Sequence, residues 1–175
     1  MSGYLAVRDQ AVEQIRAGFA NHPEIHVAAH PGYFTEKTIQ QAAQKTPAIL
    51  TSLVKAQDGV NNSITFVSWV LYRANSADKL YNGALQIVSA LIPVIRKADF
   101  DLVIKDTNIE AECLFSGSLD SINITLWAVK WELVLERHAF AESIETLADL
   151  ENFEDYDAEA VIDGLTAHDH VTLED

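Results

Sequence analysis

The run Ile64-Thr-Phe-Val-Ser-Trp-Val-Leu-Tyr72 constrains the fold of this chain more than any other stretch. β-branched and aromatic residues fill it, and such side chains suit a pleated sheet better than a helix, where they lose rotamer freedom. Residues 63 to 74 therefore read as a strand. Residues 48 to 56, with Ile49, Leu50, Leu53 and Val54, read as a second. Between them lies Gln57-Asp-Gly-Val-Asn-Asn62, rich in turn formers and longer than a two-residue hairpin connection. The expected result is an antiparallel pair with a protruding loop. That loop, Gln57, Asp58, Gly59, Val60, Asn61 and Asn62, is a candidate interface.

A third strand is expected over residues 122 to 137. One face carries Trp127, Val129, Trp131 and Leu133, while the other passes from Ile124, Leu126 and Ala128 to Lys130, Glu132 and Val134. Alternation of this kind predicts a strand covered on both faces over one half and on a single face over the other. Helical spacing appears elsewhere. Leu5, Val12, Ile15 and Phe19 form an apolar stripe over residues 4 to 21, which Pro23 stops. Thr35 is placed to cap a helix running to Lys45, with Thr46-Pro47 beyond it. Ser76 is placed to cap a longer one reaching about Ala98, with Leu80, Ala84, Ile87, Leu91 and Ile95 on one face. Pro93 predicts a kink or an early stop near Leu91. Residues 25 to 29, short, rich in apolar side chains and closed by Pro31-Gly32, read as either a strand or an extended connection, and residues 99 to 117 as one short strand with irregular flanks. The fold class is α+β: a mostly antiparallel sheet of four to five strands with helices packed against it, plus an acidic C-terminal extension.

Charge separates these two parts. The formal net charge is −14, yet residues 1 to 135 hold 13 acids and 11 bases, whereas residues 136 to 175 hold 13 acids and only Arg137 as a base. The expected division is a nearly neutral body over residues 1–137 and an acidic arm over residues 138–175, partly helical or extended. Phe153 and Tyr156 stand among the carboxylates of the arm, and solvating tails lack such anchors, so both are candidate interface residues. Acidity of this degree disfavours partners held by phosphate contacts, including specific nucleic-acid binding and anionic membranes. The longest largely apolar run, Ile87 to Ile95, is too short to span a bilayer, and no signal peptide is visible. The expectation is a soluble protein that stays in the compartment where it is made. Cys113 is the single cysteine, which excludes intramolecular disulfides and cysteine-cluster metal sites.

Motifs for phosphate loops, dinucleotide binding, nucleophile elbows and helical zinc sites are absent. No catalytic, cofactor-binding or metal-ligating residue is assigned, and no cofactor is expected. His22, His26 and His30 recur every four residues, but Pro23 and Pro31 bracket them and oppose the helix that would align them. In an extended segment His26 and His30 share a face and His22 lies outside it. This trio supports the alternative function, a metal-binding protein or enzyme. His168 and His170 flank Asp169 in the acidic terminus and read as exposed tail. Glu110 and Glu112 read as a solvated strand face, and Trp69, Trp127 and Trp131 as core.

The order of elements, together with Thr46-Pro-Ala-Ile-Leu50, the strand Thr65 to Arg73, Leu114-Phe-Ser116 leading into Leu119, and Ile124 to Leu135, resembles the tail terminator proteins of long-tailed phages. The similarity is to the Mu-like prophage tail proteins in particular, and it extends to Leu150-Glu-Asn-Phe-Glu-Asp-Tyr156. What it implies is a structural, non-enzymatic minor tail protein of the virion, assembled in the bacterial host cytoplasm. Six copies would form a ring on the end of the tail tube, stop tube polymerisation and offer a surface for head joining. The implied partners are other copies of the chain, the tail tube protein and a head-tail connector protein, with DNA passing through the lumen. A non-virion adaptor that binds proteins through its acidic arm is a further alternative.

Overall fold

A computed structural model describes residues 4–32, 36–57, 62–100, 108–119, 122–135, 155–162 and 165–172. The chain divides into two compact units, residues 1–141 and 142–175.

The first unit is α+β. Helix α1 (Tyr4–Gly18) leads to strand β1 (His26–Ala29), helix α2 (Glu36–Ala43) and the pair β2 (Ala48–Gln57) and β3 (Asn62–Arg73). Helix α3 (Ala77–Lys97) then precedes β4 (Ile109–Leu119) and β5 (Ile122–Leu135). The five strands form one sheet in the order β1-β2-β3-β5-β4. β1 runs parallel to β2 and all other pairings are antiparallel. The parallel pair requires a crossover, and α2 supplies it.

Alternation of side chains divides the core between the two faces of the sheet. On one face Ile49, Ile64, Phe66, Val70, Trp127, Val129, Trp131 and Leu133 pack with α1 and α3. On the other, Ala48, Leu50, Trp69, Leu71, Ile124 and Leu126 pack with Ala43, Ile39 and Ala42 of α2. α2 is only eight residues long, so this second face is covered over part of its length. β5 shows the consequence: Ile124 and Leu126 are buried, Ala128 is half-buried and Lys130 is exposed, while Trp127 to Leu133 on the first face are buried throughout. The strand is thus covered on both faces over one half only, as its alternation predicts.

The helices refine three sequence expectations. Helix α3 runs through Pro93 to Lys97 without stopping near Leu91. Proline removes the bond to the carbonyl four residues earlier, that of Ser89; both residues are exposed, so the loss falls on the solvent side of the helix and not in the core. Ser76 occupies the N-cap of α3, yet its side chain makes no capping hydrogen bond. In α1 the buried stripe is Val7, Ala11, Val12 and Ile15, continued by Phe19, whereas Leu5 in the first turn is 67% exposed. Thr35, the expected cap of α2, lies outside the described residues.

β4 is longer than expected, with eleven residues, and carries a β-bulge. Cys113 faces Trp127 and Phe115 faces Leu126, so Leu114 is an extra residue. β2 has the same device: Leu53 faces Phe66 and Lys55 faces Thr65, leaving Val54 extra. A bulge inserts one residue and reverses which residues face each side beyond it. The second unit holds a two-stranded antiparallel sheet, β6 (Asp155–Ile162) and β7 (Leu165–Thr172). No described helix is long and apolar enough to cross a membrane.

Candidate interaction surface

The β2–β3 hairpin positions part of the expected interface. Gln57 ends β2, is exposed and pairs with Ser63, and Asn62 opens β3 opposite Leu135. Asp58, Gly59, Val60 and Asn61 lie outside the described residues, as does Phe153. Tyr156 is the second residue of β6, in register with Val171. The pairing of Asn62 with Leu135 brings the end of β5 to the same end of the sheet as the hairpin connection.

Sequence reasoning did not single out the sheet margins. β4 is an edge strand, and at its bulge Leu114 is 51% and Phe115 39% exposed. β1 pairs with β2 only from Ala48 to Thr51, so the outer margin of β2 beyond Thr51 has no neighbouring strand among the described residues. Val54, the bulged residue there, is 44% exposed. Open edges carry unpaired backbone donors and acceptors and are templates for a strand from another chain. Bulges twist an edge away from such pairing, yet here both lift an apolar side chain into solvent. The adjacent apolar pair Leu114-Phe115 breaks the alternation of β4 and is the signal that could have revealed this margin.

His22, His26 and His30 are held separately. His22 pairs with Glu24, Nδ1 to Oε1 at 3.1 Å, and both side chains are well exposed. His26 begins β1, and its N–H donates to the Pro47 carbonyl at 2.9 Å. His30 donates its N–H to the Thr51 carbonyl, and its ring lies edge-on to Trp69 with centroids 5.3 Å apart. Gly32 donates its N–H to His30 Nδ1 at 3.2 Å, from a backbone φ of 105° that favours glycine. Among the described residues of the body, no three His, Cys, Asp or Glu side chains come together as a metal site. Beside His22 a groove of about 530 Å³ runs between the end of α1 and α3, lined among others by Phe19, Glu24, Ile25, Tyr72 and Arg73. Hydrogen bonding to the backbone and to His22 lowers the pKa of Glu24.

Burial, and then repulsion from Lys45 and Arg16, holds His26 below the ordinary imidazole range; burial does the same to His30. The unfolded chain titrates these groups near pH 6.5, so above that pH both states are neutral and the contribution is constant. Below it the unfolded state binds protons that the folded state refuses, and stability falls with pH until the folded values are passed. The urea midpoint is therefore expected to drop between about pH 7 and pH 5, and to drop less in a His26→Gln, His30→Gln variant. Equal slopes in the two proteins contradict this assignment.

No protein-family model matches the chain, and no curated protein is significantly similar to it.

Proposed function

We propose that this chain is a tail terminator of a long-tailed phage or prophage, a structural protein whose copies close into a ring of six on the tail tube end. Its work is done by surfaces rather than by catalysis: it stops tube growth and presents a face to the head connector. Supporting this reading is the resemblance carried by Thr46 to Leu50 at the start of β2, Thr65 to Arg73 in β3, and Ile124 to Leu135 in β5. The carrying observation on the body is that β4 is an edge strand among the described residues, with Leu114 and Phe115 exposed on it. Apolar side chains raised at a sheet edge gain little in water and are covered by assembly.

Sedimentation of the purified protein tests the reading. A discrete closed oligomer near six subunits is expected, and Phe115→Glu should disperse it while leaving the far-ultraviolet circular dichroism unchanged. Truncation after Arg137 should leave a folded body that assembles or joins tails poorly. A protein that stays monomeric at high concentration, and also in the presence of tube ends, overturns the proposal.

A further inference from the structure

The β6–β7 register juxtaposes four residues of types that ligate metals. Glu159 stands opposite His168 and Asp157 opposite His170. Successive residues of a strand alternate between its faces, so these four occupy adjoining positions on one face of the two-stranded sheet. The other face carries Tyr156, Ala158, Ala160 and Ile162 opposite Val171, Asp169, Ala167 and Leu165. Asp169, between the two histidines in sequence, thus falls on the opposite face from both.

The sequence supports this register independently. The two residues between the strands are Asp163-Gly164, a pair strongly preferred in two-residue hairpin connections. Such a connection makes its flanking residues, Ile162 and Leu165, partners and thereby fixes every pairing that follows.

We propose that Asp157, Glu159, His168 and His170 form a binding site for a single transition-metal dication of the Zn²⁺ class. Imidazole nitrogen and carboxylate oxygen together suit that class, with bonds of about 2.0–2.2 Å. Opposed residues have Cβ atoms about 5 Å apart, and next-but-one residues of a strand lie about 7 Å apart, a spacing that one four-coordinate ion bridges. There is also a reason for this hairpin to use an ion. Two strands alone are marginal in water, and Asp155, Asp157 and Glu159 place three like charges along one face of β6. A dication neutralises that repulsion, and its binding free energy adds to folding. This inference does not depend on the tail-terminator reading.

Calorimetric titration of the full-length, chelator-stripped protein with zinc chloride tests it, with circular dichroism confirming that each variant folds. One equivalent of Zn²⁺ should bind. The double variants His168→Gln, His170→Gln and Asp157→Asn, Glu159→Gln should each bind at least about tenfold more weakly. Asp169→Asn and His26→Gln should bind as the parent does. The proposal is overturned by absence of a saturable equivalent, or by an Asp157→Asn, Glu159→Gln variant that keeps full affinity. It is equally overturned if Asp169→Asn weakens binding as much as loss of the two histidines, since the ligands would then be the local His-Asp-His segment.

Discussion

Trp131→Ala is expected to cost the body about 3–5 kcal/mol, a large share of the roughly 5–15 kcal/mol that holds an ordinary domain folded. Trp131 is fully buried at the centre of the sheet face covered by α1 and α3. Its ring stacks on Phe66, with centroids 4.4 Å apart and planes 17° from parallel, and Phe100 packs against it, tilted by 36° with centroids 5.8 Å apart. Its indole N–H donates to Ser68 Oγ at 3.1 Å, and Ser68 shares a 2.9 Å hydrogen bond with Thr51 Oγ1. Alanine would leave a cavity the size of most of an indole and break into a buried polar chain whose members have no route to water. Trp131→Phe separates the two effects: it keeps most of the apolar volume and removes only the donor, so a smaller loss is expected. Urea denaturation followed by circular dichroism measures both. A Trp131→Ala protein within 1 kcal/mol of the parent, a threshold set well below the expected cost, would show that the centre of the core lies elsewhere.

That centre was legible because the alternation of β5 is unbroken from Trp127 to Leu133, and a period of two over a buried face has few other readings. Where the period breaks, legibility failed. The bulge at Leu114, and a preceding stretch in which Glu110, Ala111 and Glu112 are all exposed, disguised an eleven-residue strand as a short one. The parallel placement of β1 and the insertion of β5 between β3 and β4 are long-range choices that no local spacing encodes. Pro93 left a kink and an early stop both open, and the stop is absent, for a different reason: its cost depends on whether its face is wet, which is a property of packing rather than of the residue. The candidate surface divides in the same way. The antiparallel pairing of β2 with β3 was legible from the turn formers between them, whereas the exposure of Val54, Leu114 and Phe115 follows from register shifts seen only in three dimensions. The β6–β7 pairing was not anticipated: the charge of residues 138–175 pointed to an acidic arm, partly helical or extended, with no strand pair assigned in it.

The second large effect is expected where α1 meets α3. A Cβ on Gly18 would collide with Val94 Cγ1 and lie 2.7 Å from Cγ2 and 3.1 Å from Val94 Cβ. Valine in a helix has essentially one χ1 rotamer, so Val94 cannot swing aside and the helices must separate. Those two helices together cover the sheet face that buries Ile15, Phe19, Leu91 and Ile95. Any separation loosens that whole layer, because a close-packed core transmits strain rather than absorbing it. Gly18→Val is therefore expected to destabilise the body by about 1–3 kcal/mol. Gly18→Ala should cost less, since a methyl group is smaller and alanine favours the last turn of α1 by up to roughly 1 kcal/mol. The clash is pairwise, so it must disappear with its partner. In a Val94→Ala background the obstructing methyl groups are gone, and Gly18→Ala should become neutral or stabilising, with a coupling in the range of about 0.5–3 kcal/mol. If the two changes simply add, steric contact is not what reserves position 18 for glycine, and the close approach of α1 to α3 needs another cause.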